Sequence, residues 1–273
     1  MASEPNTSVD QIFDTLHLLV DSGQPSGVAD VARDLGIPTS TAHRLLATIN
    51  DAGFAVRDST GTKYELGVRS HMLVHGLFRQ FRIQPAAVPF LARLAKQLGE
   101  TTALDVRVGW HVVRIAGFEG WNEIHAGTRI GQASPLASTA GGLAILAHLP
   151  ADEVEGYLRW EGGGRRSPSR TRALRGRLDE VSEAGWVREA GEDGDSAELA
   201  FPVRLDGRAF AAICVDGTGP IVADPPRAAD VSRARKVVEG LERAVAQDPA
   251  LAHDPFAHLD ADEVAATVGS PRA

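Results

Sequence analysis

Thr39, Ser40, Thr41, His43 and Arg44 stand close together in a stretch, Ile37 to Asn50, that contains no acidic residue. On one helix face they offer short hydrogen-bonding side chains and one guanidinium, a combination that can reach base edges without repelling phosphates. A second basic point follows where Arg57 and Lys63 flank Asp58-Ser59-Thr60-Gly61-Thr62, a composition suited to a hairpin tip. Other suggestive groups carry less. His71 and His75 are four apart, but no glutamate stands between them, so the metalloprotease pattern fails and no metal site is expected. Gly162-Gly163-Gly164-Arg165-Arg166 lacks the lysine and hydroxyl of a phosphate-binding loop. No G-x-S-x-G elbow and no cysteine with an evident base is present, so no catalytic residue is assigned and the chain is not read as an enzyme.

These residues need elements to hold them. Val9, Ile12, Phe13, Leu16, Leu19 and Val20 recur at helical steps and stop at Asp21-Ser22-Gly23-Gln24-Pro25. Val28, Val31, Ala32 and Leu35 repeat the pattern, Gly36 breaks it, and a further helix from Thr39 to Asn50 carries Ala42, Leu45, Leu46 and Ile49, with Thr39 or Ser40 as its cap. Ala32 at the close approach and Gly36 in the turn suit a helix-turn-helix, although an ordinary helical hairpin shares the apolar spacing. The short runs Phe54–Val56 and Tyr64–Leu66 around the basic-flanked tip then read as a wing. A mixed apolar and basic helix, Arg69–Phe81, leads to the domain connection.

Beyond Gly99 the pattern changes. Strand-like runs at Thr102–Val108 and Val112–Ala116 flank Gly109-Trp110, a further run covers Glu123–Ala126, and a helix is expected over Ser138–His148. A helix near Thr171–Ala184, strands at Glu198–Leu205 and Ala209–Asp216 around Asp206-Gly207, and a helix near Ala228–Val245 follow, describing an α+β domain. Trp110 and Trp121 are candidates either to line a cavity or to pack turns. The tail from Gln247 is expected to be poorly ordered.

Bulk properties bound these readings. The 273 residues suit two domains, the formal net charge of −8 argues against a whole-domain basic footprint, and the single cysteine, Cys214, excludes an internal disulfide. No apolar run reaches the roughly 18 residues of a membrane span, and MASEPNTSVD does not resemble a targeting segment, so a cytoplasmic protein without membrane contact is expected.

Val28-Ala-Asp-Val-Ala-Arg-Asp-Leu-Gly-Ile-Pro-Thr-Ser-Thr-Ala-His-Arg-Leu-Leu46, with Gly53-Phe54 and Tyr64-Glu-Leu-Gly67, closely resembles the DNA-binding motif of the IclR family of regulators. Gly131-Gln-Ala-Ser-Pro-Leu-Ala-Ser-Thr-Ala-Gly-Gly142, Gly185-Trp186, Leu199-Ala-Phe-Pro-Val203 and Ala211-Ala-Ile-Cys-Val-Asp-Gly217 resemble that family's effector domain. The resemblance implies a winged helix-turn-helix over residues 8–68, a linker helix over 69–84, and a GAF-like α/β effector domain over 85–246. It also implies a homodimer or homotetramer on palindromic operator DNA, with a small-molecule effector and no cofactor. Matching to the family places Thr139, Ala140, Glu189, Glu198, Cys214 and Asp216 at the effector pocket.

The departures are chemical. Ala137 and Leu143 stand where the family commonly has histidine and lysine, Glu198 where many relatives have cysteine, and Cys214 and Asp216 where serines are usual. A more acidic site follows, suited to a small, neutral or singly charged, aromatic effector with donors directed at the acids. Amides of Ser138–Gly141 could hold one carboxylate, or Ser138 or Thr139 could simply cap the helix. Cys214 and Asp216, two apart on a strand, share a face, though Cys214 alone reads equally as a small buried side chain. A strict two-residue turn at Asp206-Gly207 would place Leu199 opposite Cys214 and turn Glu198 away, so Glu198 reaches the pocket only through a bulge or a longer turn. The rival reading is a hydrolase-like enzyme whose N-terminal helices serve assembly.

Overall fold

The helical periodicity at the N-terminus becomes α1 (Thr7–Ser22), α2 (Val28–Asp34) and α3 (Thr39–Asp51) in a computed structural model that describes residues 7–78, 80–120, 130–162, 168–191 and 194–268. The chain divides into two units, one within residues 1–79 and one within 80–273. In the first, Ile12, Leu16 and Leu19 of α1 pack with Val31, Ala32, Ala42, Leu46 and Ile49 around Tyr64. Val9, Phe13 and Val20, also in the apolar pattern of α1, are exposed. Gly36 turns the chain between α2 and α3 at φ 63°, a left-handed conformation that a side chain disfavours. The cap of α3 differs from expectation: Pro38 occupies it and makes no side-chain cap, and its carbonyl accepts from the Thr41 and Ala42 amides instead.

The wing is β2 (Ala55–Arg57) paired antiparallel with β3 (Lys63–Leu66). Its sheet has a third strand that the sequence pattern does not mark, β1 (Ser26–Gly27), set against Tyr64 and Lys63. The helix expected over 69–81 is shorter and begins earlier, as α4 (Val68–Phe78), with Val68, Met72, Leu73, Val74 and Leu77 exposed.

The second unit begins with α5 (Ile83–Leu98), which takes Pro85 into its first turn, where a missing N–H is tolerated. A six-stranded antiparallel sheet in the order β6-β5-β4-β9-β8-β7 follows. Its strands are β4 (Thr101–Val108), β5 (His111–Phe118), β6 (Ala133–Pro135), β7 (Val187–Ala190), β8 (Ala197–Leu205) and β9 (Arg208–Gly217). Ala103, Ala200, Ala212 and Cys214 face α6 (Ala140–Leu146), every residue of which is buried. Thr102, on the opposite face, donates to the Leu91 carbonyl of α5, and α9 (Ala228–Gln247) packs beside α5. The sheet is therefore covered on both faces. α7 (Ala151–Gly162) and strands β6 and β7 carry no clear mark in the sequence, while α8 (Pro168–Ala184) falls near its expected place. The run Glu123–Ala126, Trp121 and most of the Gly162–Ser169 loop lie outside the described residues.

The tail departs from the expectation of poor order. A 3₁₀ turn at Pro249–Ala252 and α10 (Ala261–Val268) follow α9. Val264 and Ala265 are buried, and the Trp110 indole donates to Asp262 Oδ1 at 2.5 Å. Two apolar side chains at neighbouring positions suffice to bind this short helix to the β4–β5 turn, where Trp110 packs edge-on against Tyr157.

Candidate DNA-reading face and effector cavity

In the first unit, Thr39, Ser40, His43 and Arg44 are exposed along α3 and Thr41 is half-buried. The buried face of the same helix is Ala42, Leu45, Leu46 and Ile49, which fixes what the other face presents. Thr48 returns its hydroxyl to the Arg44 carbonyl, whereas the Arg44 guanidinium has no ion pair among the described residues. At the wing tip Asp58 accepts from the Thr62 and Lys63 amides and from the Thr60 hydroxyl, which closes the turn. The Lys63 and Thr60 bonds hold its carboxyl below the usual value. Arg57 donates to the Gly61 carbonyl at 2.6 Å and lies over the Tyr64 ring, so it is partly occupied, while Lys63 is exposed.

The second unit brings charge together inside its sheet. A two-residue turn at Gly109-Trp110 sets Val108 against His111 and, in the same register, Asp105 directly against Arg114. A bulge at Ile115 begins only beyond that pair. On the other hairpin, Asp206 and Gly207 both have positive φ, 52° and 82°, and pair Leu205 with Arg208. Here an extra residue, Phe210, intervenes before Val203 meets Ala211. That single bulge moves the register by one, so Glu198 lies across from Asp216, and Ala200 across from Cys214. Of the two routes by which Glu198 could reach the pocket, the bulge is the one taken.

Asp105, Glu198 and Asp216 thus converge on Arg114. Its Nε donates to Asp105 Oδ1 at 2.8 Å, its Nη2 to Glu198 Oε1 at 2.7 Å and its Nη1 to Asp216 Oδ2 at 3.0 Å. The Cys214 thiol donates to Asp105 Oδ2 at 3.3 Å, and the Ala140 amide to Glu198 Oε2 at 3.1 Å. Burial works against the Arg114 charge, but Asp105 and Asp216 outweigh it and hold the guanidinium above its ordinary range. Burial, then repulsion from Asp216 and Asp105, pushes Glu198 up to about 7. Burial likewise pushes Asp216 up to about 6 against the pull of Arg114, and it raises the Cys214 thiol well above its ordinary value.

Above this cluster opens a cavity of about 200 Å³, lined also by Val112, Gln132, Ser134 and Thr139. Of the pocket residues expected from the sequence, Thr139, Glu198 and Asp216 line it, and Ala140 and Cys214, fully buried, bond to the carboxylates beneath it. Ser138 and Glu189 do not line it: the Ser138 hydroxyl turns back to the Pro135 carbonyl, and Glu189, though across from Glu198 in register, pairs with Arg177 of α8. The helix-start amides are also engaged from within, Ala140 by Glu198 and Gly142 by the Thr139 hydroxyl. The carboxylate at the start of α6 is thus one of the protein's own. Asp105 and Arg114 were missed, and their signal was a lone acid and a lone base in apolar strands equally spaced from one turn.

Asp105, Glu198 and Cys214 bring potential metal-ligating atoms within 4.8 Å of one another. The donor set fits a metal poorly. Both carboxylates already serve Arg114, and the thiol is held in its protonated form.

Residues 8–59 match the IclR helix-turn-helix domain, and residues 75–224 match the domain described as bacterial transcriptional regulator IclR C-terminal. The chain is 29% identical over 45% of its length to the HTH-type transcriptional regulator KipR of Bacillus subtilis, and spans about half (49%) of that relative. It is 27% identical to the HTH-type transcriptional repressor AllR of Klebsiella pneumoniae, over 74% of this chain and 76% of the relative. Its fold is similar, at a TM-score of 0.67 and 22% identity, to an IclR homologue from Microbacterium hydrocarbonoxydans complexed with 4-hydroxybenzoate, over 87% of this chain and 100% of the other. Matches that take in the helix-turn-helix and most of the sheet domain, with α3 and the cavity each in its own unit, make this chain a member of the IclR family: a transcriptional regulator with a DNA-binding and an effector-binding domain, and not an enzyme.

Proposed function

We propose that the protein is a cytoplasmic, effector-responsive repressor that binds a palindromic operator and controls a neighbouring catabolic operon. The carrying observation is the outer face of α3 from Thr39 to Thr48, which carries no acid and where Arg44 is exposed and without an ionic partner among the described residues. In this reading α3 enters the major groove, with Thr39, Ser40, Thr41, His43 and Arg44 towards base edges, while Lys63 and Arg57 of the wing meet phosphates. The effector is small, aromatic, neutral or singly charged, and occupies the cavity above Arg114 with its donors towards Asp216 and Glu198. Thr139 belongs to its walls, while Ala140 and Cys214 hold the carboxylates beneath it. The related protein complexed with 4-hydroxybenzoate, a singly charged aromatic molecule, supports a ligand of that size.

Gel-shift titration on DNA flanking the protein's own gene tests the assignment. Arg44→Ala is expected to lose about 1–3 kcal/mol of specific binding if one base contact goes. Lys63→Ala should instead weaken all sequences alike and flatten the salt dependence. A folded Arg44→Ala protein that binds its operator unchanged would remove α3 from the reading role.

A further inference from the structure

We propose that the ligand of the Arg114 cavity is a small organic monocation, an amidinium, guanidinium or ammonium on a body no larger than one ring, held chiefly by Asp216 and Glu198. This rests on the effector reading above and narrows it to one charge. Every element around the cavity contributes to the balance: Asp105 from β4, Arg114 from β5, Glu198 from β8, Cys214 and Asp216 from β9, and the Ala140 amide from α6. Three carboxylates therefore face one guanidinium.

Arg114, the Cys214 thiol and the Ala140 amide together supply a partner to both oxygens of Asp105, both of Glu198 and Oδ2 of Asp216. Asp216 Oδ1 has none among the described residues, although the residue is only 9% exposed and lines the cavity. The exposed Gln132 amide and the half-buried Ser134 hydroxyl, on the same walls, also make no side-chain hydrogen bond among the described residues. Polar groups of this kind, lining a concave site and within reach of water, are placed to meet a ligand. An anion would have to approach three carboxylates through a guanidinium whose donors are already engaged. A neutral molecule would leave the excess of carboxylate over guanidinium uncompensated in a poorly solvated space. A monocation reduces that excess and supplies the donor that Asp216 Oδ1 lacks. The upward displacement of both Glu198 and Asp216 agrees with surplus negative charge.

Size sets the second limit. About 200 Å³ lies below the roughly 300–1,000 Å³ of sites for drug-sized molecules, which leaves room for one ring with one charged group.

Benzamidine, benzamide and benzoate share a ring and nearly a shape but differ in charge, so calorimetry and thermal shift on the full-length protein separate the cases. Benzamidine, or benzylammonium or methylguanidinium in its place, is expected to bind at least tenfold tighter than benzamide, and benzoate not at all. Affinity for the cation should fall about tenfold or more from pH 7.5 to 5.5, because the carboxylates protonate while the ligand stays charged. Asp216→Asn should remove most of the preference between benzamidine and benzamide. Should benzoate or benzamide bind as tightly as benzamidine, displaced by substitutions at Asp216, the cation proposal is overturned and the effector reading stands. Binding by none of the three cations also overturns the proposal. The effector reading itself fails only on a different measurement, operator affinity that no cavity-bound molecule alters.

Discussion

Arg114 is the residue on which the second unit's electrostatics turn, since Asp105, Glu198 and Asp216 all pair with it while remaining almost out of water. A carboxyl held above its unfolded value binds its proton more tightly in the folded state. Its stabilising contribution is therefore full below the unfolded value, about 4, and is lost as pH rises through the folded one, about 6 for Asp216. Asp216→Asn keeps an acceptor for Arg114 and removes the titration. The stability of the natural protein relative to that variant should therefore decline by on the order of 1–3 kcal/mol between pH 4 and 7 in denaturant melts. A flat difference would mean that Asp216 is ionised throughout. His111 and His148 are held below the ordinary value by burial and act in the opposite sense, which is why the difference between the two proteins is the quantity to follow. Much of this residue-level chemistry was within reach of the sequence. Asp105 and Arg114 stand four residues either side of Gly109-Trp110, and no irregularity separates them from the turn. The resemblance to the family placed Glu198 and Asp216 at the pocket, but their pairing was not legible, because the bulge at Phe210 lies between it and the turn, and neither composition nor periodicity marks an unpaired residue there.

At the scale of elements, the periodic helices of the first unit were legible because each buries one face, as Ala42, Leu45, Leu46 and Ile49 do. Strands β1 and β7 were not, being two and four residues long and held by neighbours rather than by their own pattern. α6 carries the strictest local demand. A Cβ on Gly141 would stand 2.4 Å from Asp105 Oδ2 and 2.9 Å from Cys214 Sγ, and one on Gly142 2.1 Å from the Leu136 carbonyl oxygen. The glycines let this helix lie directly on the charged cluster. Gly141→Ala is expected to lower stability by about 1–3 kcal/mol through overpacking. Gly176→Ala, in α8 with no atom near the new methyl, should raise it by about 0.5–1 kcal/mol. Thermal melts of the two variants check both signs, and a neutral Gly141→Ala would show that α6 can lift from the sheet without loss.

For the molecule as a whole, the net charge of −8 and the acid-free stretch Ile37–Asn50 imply that DNA affinity is local rather than a property of the entire surface. The exposed apolar residues of α1 and α4, Phe13, Met72 and Leu73 among them, call for cover by a second copy if the operator is two-fold symmetric. Light scattering at micromolar concentration should give a dimer or tetramer, and Leu73→Glu should shift the population towards monomer and weaken operator binding. A strict monomer with full operator affinity is incompatible with that assembly.

The strand order β6-β5-β4-β9-β8-β7 also bears on how the chain comes into being. β4 lies beside β9, so residues 101–108 leave the ribosome long before their central neighbour, 208–217, has been made. At bacterial or eukaryotic rates that interval is on the order of ten seconds. The winged helix, all of whose strands lie within residues 26–66, has everything it needs to fold during the wait. The β4–β5 hairpin does not, and it stands with one edge open until the last third of the message is read, which makes that interval the one in which a nascent-chain chaperone matters most.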